Sequence, residues 1–568
     1  MKKSKRNPVI LGLSVLALGV LLLAPNKLTL QSVLPDAPPP MVVSVNPTVD
    51  MVKNPKLDGP LGSLVGTYLT QGADAARDLA FNRHLSYTND EIQVIVESAP
   101  GSTALNSYAQ TEVLKRQIQN LGGVVEMSYK AEIQCQADIP LIYALTQNPL
   151  VKFVRLPFTV HPMYTSEGVA STKANVWQPA TAYRGPGAGT NTAVLDLGFM
   201  GYSSLLGTEL PSSVTTRSFR TDGNVSYGSV HGTACAEIVH DMAPNAPMWL
   251  VNFSTELQHH SAVDYMIQQG VKVVSYSLGW YNAGDGKGTG PIDEDVKKFK
   301  DSGGVWATSA ANEAKNHWEG TFSDTNGNRY HNFEPTNEII YWYVPSYTLT
   351  AAFLNWDDWG TWNASSLTYS GSNNDYDMYL YYYYGGAWYL ADTSMGYQTG
   401  SQRPVEAIGY WYANISTYWG IVVYRYSTNR NCKLELFSYG NSSSILYNIE
   451  EGSLLQPSDS ASAITAGAVD WSNDDRPYYS SKGPTHDNRT KPDFMAPTRI
   501  STSSYGALNF AGTSTSSPHV AGAFALLKEK TPFTMDQIQQ ILEARAKDLG
   551  TAGKDNTYGA GSLRLIKD

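Results

Sequence analysis

Short apolar strands alternate with helices along two separated stretches of this chain, and a run of tyrosine-rich strands interrupts them. Strands at 192–195, 246–253, 271–275 and 305–309 are spaced by helical patterns at 261–269 and 293–302. That alternation predicts an α/β domain, a parallel sheet flanked by helices. Ligands of such sheets bind outside the carboxyl ends of the strands. From about 320 to 450 the helical pattern stops. Strands at 347–354, 377–384, 405–412, 418–426 and 432–437 predict an inserted antiparallel β-sandwich, jelly-roll-like in layout. The α/β pattern returns at Ser462 and runs to the end.

Upstream, 85–160 reads strand-helix-strand-strand-helix-strand, a small α+β unit of the split βαβ type. Before it, Lys2, Lys3, Lys5 and Arg6 precede an apolar run at 9–24, which fits a signal peptide or an N-terminal membrane anchor at 1–25. Pro35, Pro38, Pro39 and Pro40 then suggest an extended spacer, so 26–84 is assigned as a Pro-containing linker and leader. The remaining boundaries are 85–160 for the α+β unit, 165–319 and 451–568 for the two parts of the α/β domain, and 320–450 for the sandwich. No later apolar run is long enough to span a bilayer, which places the rest outside the cytoplasm. Composition agrees: only 16% of the 568 residues are charged, while 36 are tyrosine, a surface suited to a secreted protein. With a net charge of −10 and no basic cluster beyond the N-terminus, a nucleic-acid partner is excluded. Cys135, Cys235 and Cys432 fall in three different proposed domains, which argues against a disulfide framework.

Three segments place a polar side chain after an apolar strand or at a helix start. Asp196 ends Val194-Leu195-Asp196-Leu197-Gly198. His231 opens the small-residue run His231-Gly232-Thr233-Ala234-Cys235-Ala236. Ser514 lies in Gly512-Thr513-Ser514-Thr515-Ser516-Ser517-Pro518-His519-Val520-Ala521-Gly522. A hydroxyl at a helix mouth sits near unpaired N–H groups that favour negative charge. Taken singly, Ser514 is equally well a helix cap, Asp196 a turn residue and His231 a core histidine. Jointly they supply nucleophile, base and orienting carboxylate, in the order Asp, His, Ser that separates the subtilisin arrangement from its convergent counterparts.

The chain thereby resembles the subtilisin-like serine proteases, the subtilases, over about 165–312 and 460–565. Further matches are Ser309-Ala310-Ala311-Asn312-Glu313, Ser275-Tyr276-Ser277-Leu278-Gly279, Ser480-Ser481-Lys482-Gly483-Pro484 and Lys491-Pro492-Asp493-Phe494-Met495-Ala496-Pro497. The resemblance implies an endopeptidase with Ser514 as nucleophile, His231 as base, Asp196 as its orienter and Asn312 as oxyanion donor. It implies a substrate-lining strand at Ser277, Leu278 and Gly279, with Ala310 and Ala311 beside it. The usual pattern has glycine before the asparagine where this chain has Ala311. The 85–160 unit takes the place of an inhibitory propeptide, so the resemblance implies a self-processing zymogen cleaved between 158 and 169. Partners are then protein or peptide substrates and the chain's own propeptide. No cofactor is required for catalysis.

Four other groups are weighed beside these. Cys235 is read as a buried helix residue rather than a nucleophile, and His519 as packing within the signature helix. His259 and His260 lack a third metal ligand in the sequence and are read as helix-start residues. Asp375 and Asp377 alternate on one strand, near Asp357, Asp358 and Asp392 in sequence, which suits a structural calcium ion or, preferred here, a solvated acidic rim. Two competing functions remain. A sedolisin-type acid protease would replace the histidine, against which His231-Gly232-Thr233 argues. A binding or scaffold protein on a protease-like core should have lost one of the four catalytic positions, and all are filled.

Overall fold

Seven parallel strands form the central sheet, in the order Phe494–Thr498, Ala463–Asp470, Val305–Ser309, Val273–Tyr276, Thr192–Asp196, Met248–Asn252 and Thr215–Ser218. The computed structural model describes residues 54–567, apart from 83–86, 89–90, 101–103, 158–159, 163–167, 184 and 186–188. The N-terminal basic and apolar segment lies outside these. Among the described residues no helix is long and apolar enough to cross a membrane.

Helices cover both faces of the sheet, which is why its strands read as short, nearly continuous apolar runs. His231–Met242 and Ser516–Lys530 share one core with Val194, Ala307, Ala466 and Ala496. Glu256–Gln268 and Pro291–Asp301 share another with Leu195, Tyr276 and Trp306. The chain adds strands on one side of Thr192–Asp196 and then crosses to the other, so Asp196 ends the strand at the topological switch point. Two glycines allow the close approaches there. A Cβ on Gly232 would lie 2.6 Å from the Gly198 carbonyl and 2.8 Å from the Asp196 Cβ, and one on Gly522 would lie 2.3 Å from the Met242 Cβ. The His-Gly-Thr and Val-Ala-Gly segments therefore owe their glycines to packing as well as to chemistry.

The insertion is an eight-stranded sandwich of two antiparallel sheets. One contains His317–Thr321, Lys433–Tyr439, Thr348–Trp356 and Val405–Ala413. The other contains Ile340–Val344, Thr417–Ser427, Asp375–Tyr384 and Ala387–Ser394. Alternate side chains, Trp342, Trp356, Tyr376, Met378 and Ile421 among them, meet between the sheets. The sandwich begins at His317, three residues before the boundary read from the sequence. Ala387–Ser394 gave no strand signal because its first half is largely exposed and carries little apolar alternation.

The N-terminal unit pairs Val124–Tyr129, Glu132–Ala137, Glu91–Ser98 and Val151–Arg155 in that order, all antiparallel, with helices Ala104–Asn120 and Ile139–Thr146. The assignment of 26–84 to linker and leader needs correction. Gly59–Gln71 and Ala73–Asn82 are helices that bury Leu61, Leu64, Val65, Ala76 and Ala80 in the same core. Asp58 caps the first, accepting from the Leu61 N–H at 2.8 Å. Its three glycines and Pro60 hid this helix from a propensity argument.

Candidate active site

Asp196 closes its strand wholly buried. One carboxylate oxygen stands 2.7 Å from His231 Nδ1, and the other accepts from the Leu197 N–H at 2.8 Å. His231 is the first residue of its helix, held by its backbone N–H donating to Ser229 Oγ at 3.0 Å and by an edge contact with Phe510. A carboxylate on Nδ1 fixes the ring so that Nε2 is the nitrogen left for base chemistry.

Ser514 is not the helix cap. The Ser516–Lys530 helix has Thr515 at its N-cap position, and the Ser514 hydroxyl donates instead to the Ser277 carbonyl at 3.2 Å. Ser277 returns the bond, its hydroxyl donating to the Ser514 carbonyl at 2.7 Å. This reciprocal pair ties the nucleophile's turn to the strand read as lining the substrate. Asn312 follows the strand Val305–Ser309 and accepts through Oδ1 from Thr513, from its N–H at 2.9 Å and its hydroxyl at 3.1 Å. That pairing turns the Asn312 NH2 away from Thr513 as a donor. Beside it, Ala311 adopts a φ of +94°, the region glycine favours. The substitution therefore kept the glycine-like backbone instead of shifting the donor. Ser481 brackets the turn: its N–H donates to the Ala311 carbonyl at 3.0 Å, and its hydroxyl accepts from the Glu313 N–H at 2.9 Å. Ala310 and Ala311 are both fully buried.

The strand Leu278–Trp280 carries an antiparallel partner, Val160–Pro162, in the register Leu278 to Pro162, Gly279 to His161 and Trp280 to Val160. The connection out of the N-terminal unit thus lies along Leu278 and Gly279 as an added strand. Of the cleavage interval 158–169, residues 158–159 and 163–167 lie outside the described residues. Upstream of this strand a cavity of about 620 Å³ is walled by Phe153 and Pro157 of the N-terminal unit, Tyr281 of the core, and Phe353 and Tyr410 of the sandwich.

Burial settles several side roles. It pushes the Cys235 thiol well above its ordinary range, so the group stays neutral, its Sγ 3.8 Å from the Ser514 carbonyl. It lowers His519 to about 4, leaving a neutral ring whose Nδ1 donates to the Thr515 carbonyl at 2.8 Å. Burial also raises Glu313, next to Asn312, to about 6. His259 and His260 lie within the first turns of Glu256–Gln268, and both set Nδ1 against one oxygen of Asp295, at 2.8 and 2.5 Å. The third group missing from the sequence is Asp295, on the next helix. The acidic rim is corrected as well: Asp375, Asp377 and Asp392 are buried, and Asp357 pairs with Arg430 at 2.8 Å.

A profile of the subtilase family matches residues 362–561. Residues 362–561 are therefore similar to the subtilase family. The match includes Ser514 and part of the sandwich, while Asp196, His231 and Asn312 lie outside it and are placed by the geometry above. Subtilisin Savinase of Lederbergia lenta is 37% identical over 115 residues, 20% of this chain and 40% of that protein. An extracellular serine protease of Serratia marcescens is 43% identical over 58 residues, 10% of this chain and 6% of that protein. The chain thus spans less than half the length of these curated relatives. Among solved structures, the CspB protease of Clostridium perfringens aligns with a TM-score of 0.45 at 15% identity, over 70% of this chain and 97% of that one. The parallel sheet and the order of Asp196, His231 and Ser514 agree with that similarity.

Proposed function

We propose that this subtilase is an exported serine endopeptidase that processes itself. The observation that carries the reading is the buried Asp196–His231 contact at 2.7 Å, together with a Ser514 hydroxyl that does no capping work. In the first step Ser514 Oγ attacks a peptide carbonyl while His231 Nε2 takes its proton. Asp196 holds the imidazole tautomer and stabilises the cation. The oxyanion is met by the Asn312 NH2 and the Ser514 N–H, and collapse passes the His231 proton to the leaving amine. Water, activated by His231, then releases the acyl group from Ser514. Every group in the cycle is a protein side chain or backbone amide, so the chemistry requires no cofactor.

Self-processing is supported by the strand Val160–Pro162. Pro162 stands opposite Leu278, and Ser277 is the residue just before Leu278 in the core. The carbonyl of Ser277 accepts the hydrogen bond from Ser514 Oγ. The proposed cleavage therefore falls just beyond Pro162, within the interval 158–169. The N-terminal unit then acts as propeptide and inhibitor. Export is supported by the basic and apolar N-terminus and by relatives described as extracellular.

Hydrolysis of a chromogenic peptide by the processed chain tests the reading. Ser514→Ala is expected to abolish turnover and leave the chain uncleaved. Asn312→Ala is expected to lower kcat by about 10²–10³, the size known from removing such a donor in subtilisin itself. Activity that survives Ser514→Ala would refute the mechanism. Absence of hydrolysis by processed wild type would favour a scaffold.

A further inference from the structure

The sandwich leaves the catalytic core immediately after Asn312, and its first strand opens with a buried histidine. His317 belongs to His317–Thr321, Glu435 to the paired strand Lys433–Tyr439, and His486 to a core loop of the second catalytic segment. The two imidazoles converge on one atom. His317 Nε2 lies 3.3 Å from Glu435 Oε1, and His486 Nε2 lies 3.1 Å from the same oxygen. A carboxylate oxygen of Glu319 lies within 4.8 Å of the ligand atoms of His317 and Glu435.

Each of these groups has its other end anchored. His317 Nδ1 is 2.7 Å from the Ile449 carbonyl and His486 Nδ1 is 2.9 Å from the Asp285 carbonyl. A carbonyl only accepts, so both Nδ1 atoms carry the proton and both Nε2 atoms face Glu435. Asn355 donates to Glu435 Oε2 at 2.6 Å, and Lys433 holds one Glu319 oxygen at 2.7 Å. Outer partners of this kind orient metal-binding imidazoles and carboxylates.

His317 Nε2 supplies the deciding detail. It is fully buried, and no hydrogen-bond partner meets it in acceptable geometry, although Glu435 Oε1 is 3.3 Å away. Two ligands roughly 2.0–2.1 Å from one zinc ion at a tetrahedral angle stand roughly 3.3 Å apart. The observed separations of 3.1 and 3.3 Å match that edge. A Cβ on Gly452 would stand 3.4 Å from Glu319 Oε2 and 3.8 Å from His317 Cε1, in ordinary contact, so the glycine lies at the edge of the cluster. Entry is from the His486 side, where that side chain is 23% exposed.

The geometry points to a structural zinc site formed by His317 Nε2, His486 Nε2, Glu435 and Glu319. Imidazole with carboxylate suits zinc better than calcium, which takes oxygen alone. The ion staples the sandwich to the catalytic core on the segment that also carries Asn312. The site is independent of the peptidase reading, and so is its test.

Full chain bearing Ser514→Ala, which prevents self-digestion, is exposed to zinc, dialysed exhaustively and measured for metal by mass spectrometry. About one zinc per chain is expected, and His486→Gln or Glu435→Gln should reduce it at least tenfold. A chelator should lower the unfolding midpoint of the parent by about 2–4 °C and leave that of His486→Gln unmoved. His486 is partly exposed, so its glutamine variant keeps the fold. Background zinc in the parent, with a midpoint indifferent to chelator, would overturn the site and leave the cluster as an ion pair between Glu435 and His486.

Discussion

The N-terminal unit and the inserted sandwich meet the catalytic core through junctions with different centres. The first junction has an ionic centre, with Tyr129 stacked on His260 of the core at 4.6 Å. Arg155 is buried between Glu97 at 2.9 Å and Glu132 at 2.8 Å and also pairs with Glu256 of the core. Beside it Thr255 bonds Gln134 at 2.5 Å, and His260 stands 3.8 Å from Glu132. The second junction has an aromatic centre. Tyr281 of the core stacks on Phe353 with ring centroids 4.3 Å apart and meets Phe437 edge-on, with Ala311 and Leu455 alongside. Separated ions regain their hydration, so a buried ionic contact adds little net adhesion. Separated aromatic faces expose apolar area to water, which costs about 25 cal/mol per Å². The difference fits a domain that leaves and a domain that stays.

The sharpest break is at Arg155. Removing it in the Ser514→Ala chain takes a shared cation from three buried carboxylates, and Arg155→Ala should destabilise the docked N-terminal unit by about 3–5 kcal/mol. Limited proteolysis should then clip that unit before the core, and an unchanged digestion pattern would count against the ionic account. Next comes Phe353→Ala, expected to cost about 3 kcal/mol as a lost buried ring. Its thermal unfolding should show the sandwich loosening while the N-terminal unit remains docked.

A smaller effect follows from pH. Burial opposes charge on His260, but Asp295 and Glu132 override it and raise the group to about 10. Burial likewise opposes Asp295, and His260 with His259 holds it well below its ordinary range. Stability from the raised histidine is complete below its unfolded value of about 6.5 and is lost as pH rises toward 10. Stability from the depressed aspartate is complete above about 3.9 and is lost as pH falls. The N-terminal junction should therefore be firmest between about pH 4 and 6.5. Unfolding midpoints of the Ser514→Ala chain across pH check this, and Asp295→Asn should flatten the profile. The smallest change is expected at Ala311, whose φ of +94° strains a non-glycine residue. Ala311→Gly relieves that strain but loses a methyl packed near Phe353, so stability should move by no more than about 1 kcal/mol.

Much of the site was legible because its residues lie in local segments with their own constraints. Gly232 and Gly522 mark close approaches, and Asp196 is set by the end of a short apolar strand. The junctions were not legible. Arg155 and Glu256, Tyr281 and Phe353, and His317 and His486 are distant in sequence, and no periodicity links partners across a fold. His260 was read without its partner because Asp295 comes from another helix. The helix Gly59–Gln71 was missed because its stability comes from burial against the N-terminal sheet rather than from propensity.

Covalent labelling of Ser514 tests the central claim most directly. A fluorophosphonate probe, which reacts with a serine only when a base activates it, would be added to the processed chain and its site located by peptide mass spectrometry. The account predicts close to one label per chain on Ser514, abolished by His231→Ala and sharply reduced by Asp196→Asn. Processed chain that takes up no label, or labelling at Ser514 that persists without His231, would contradict it.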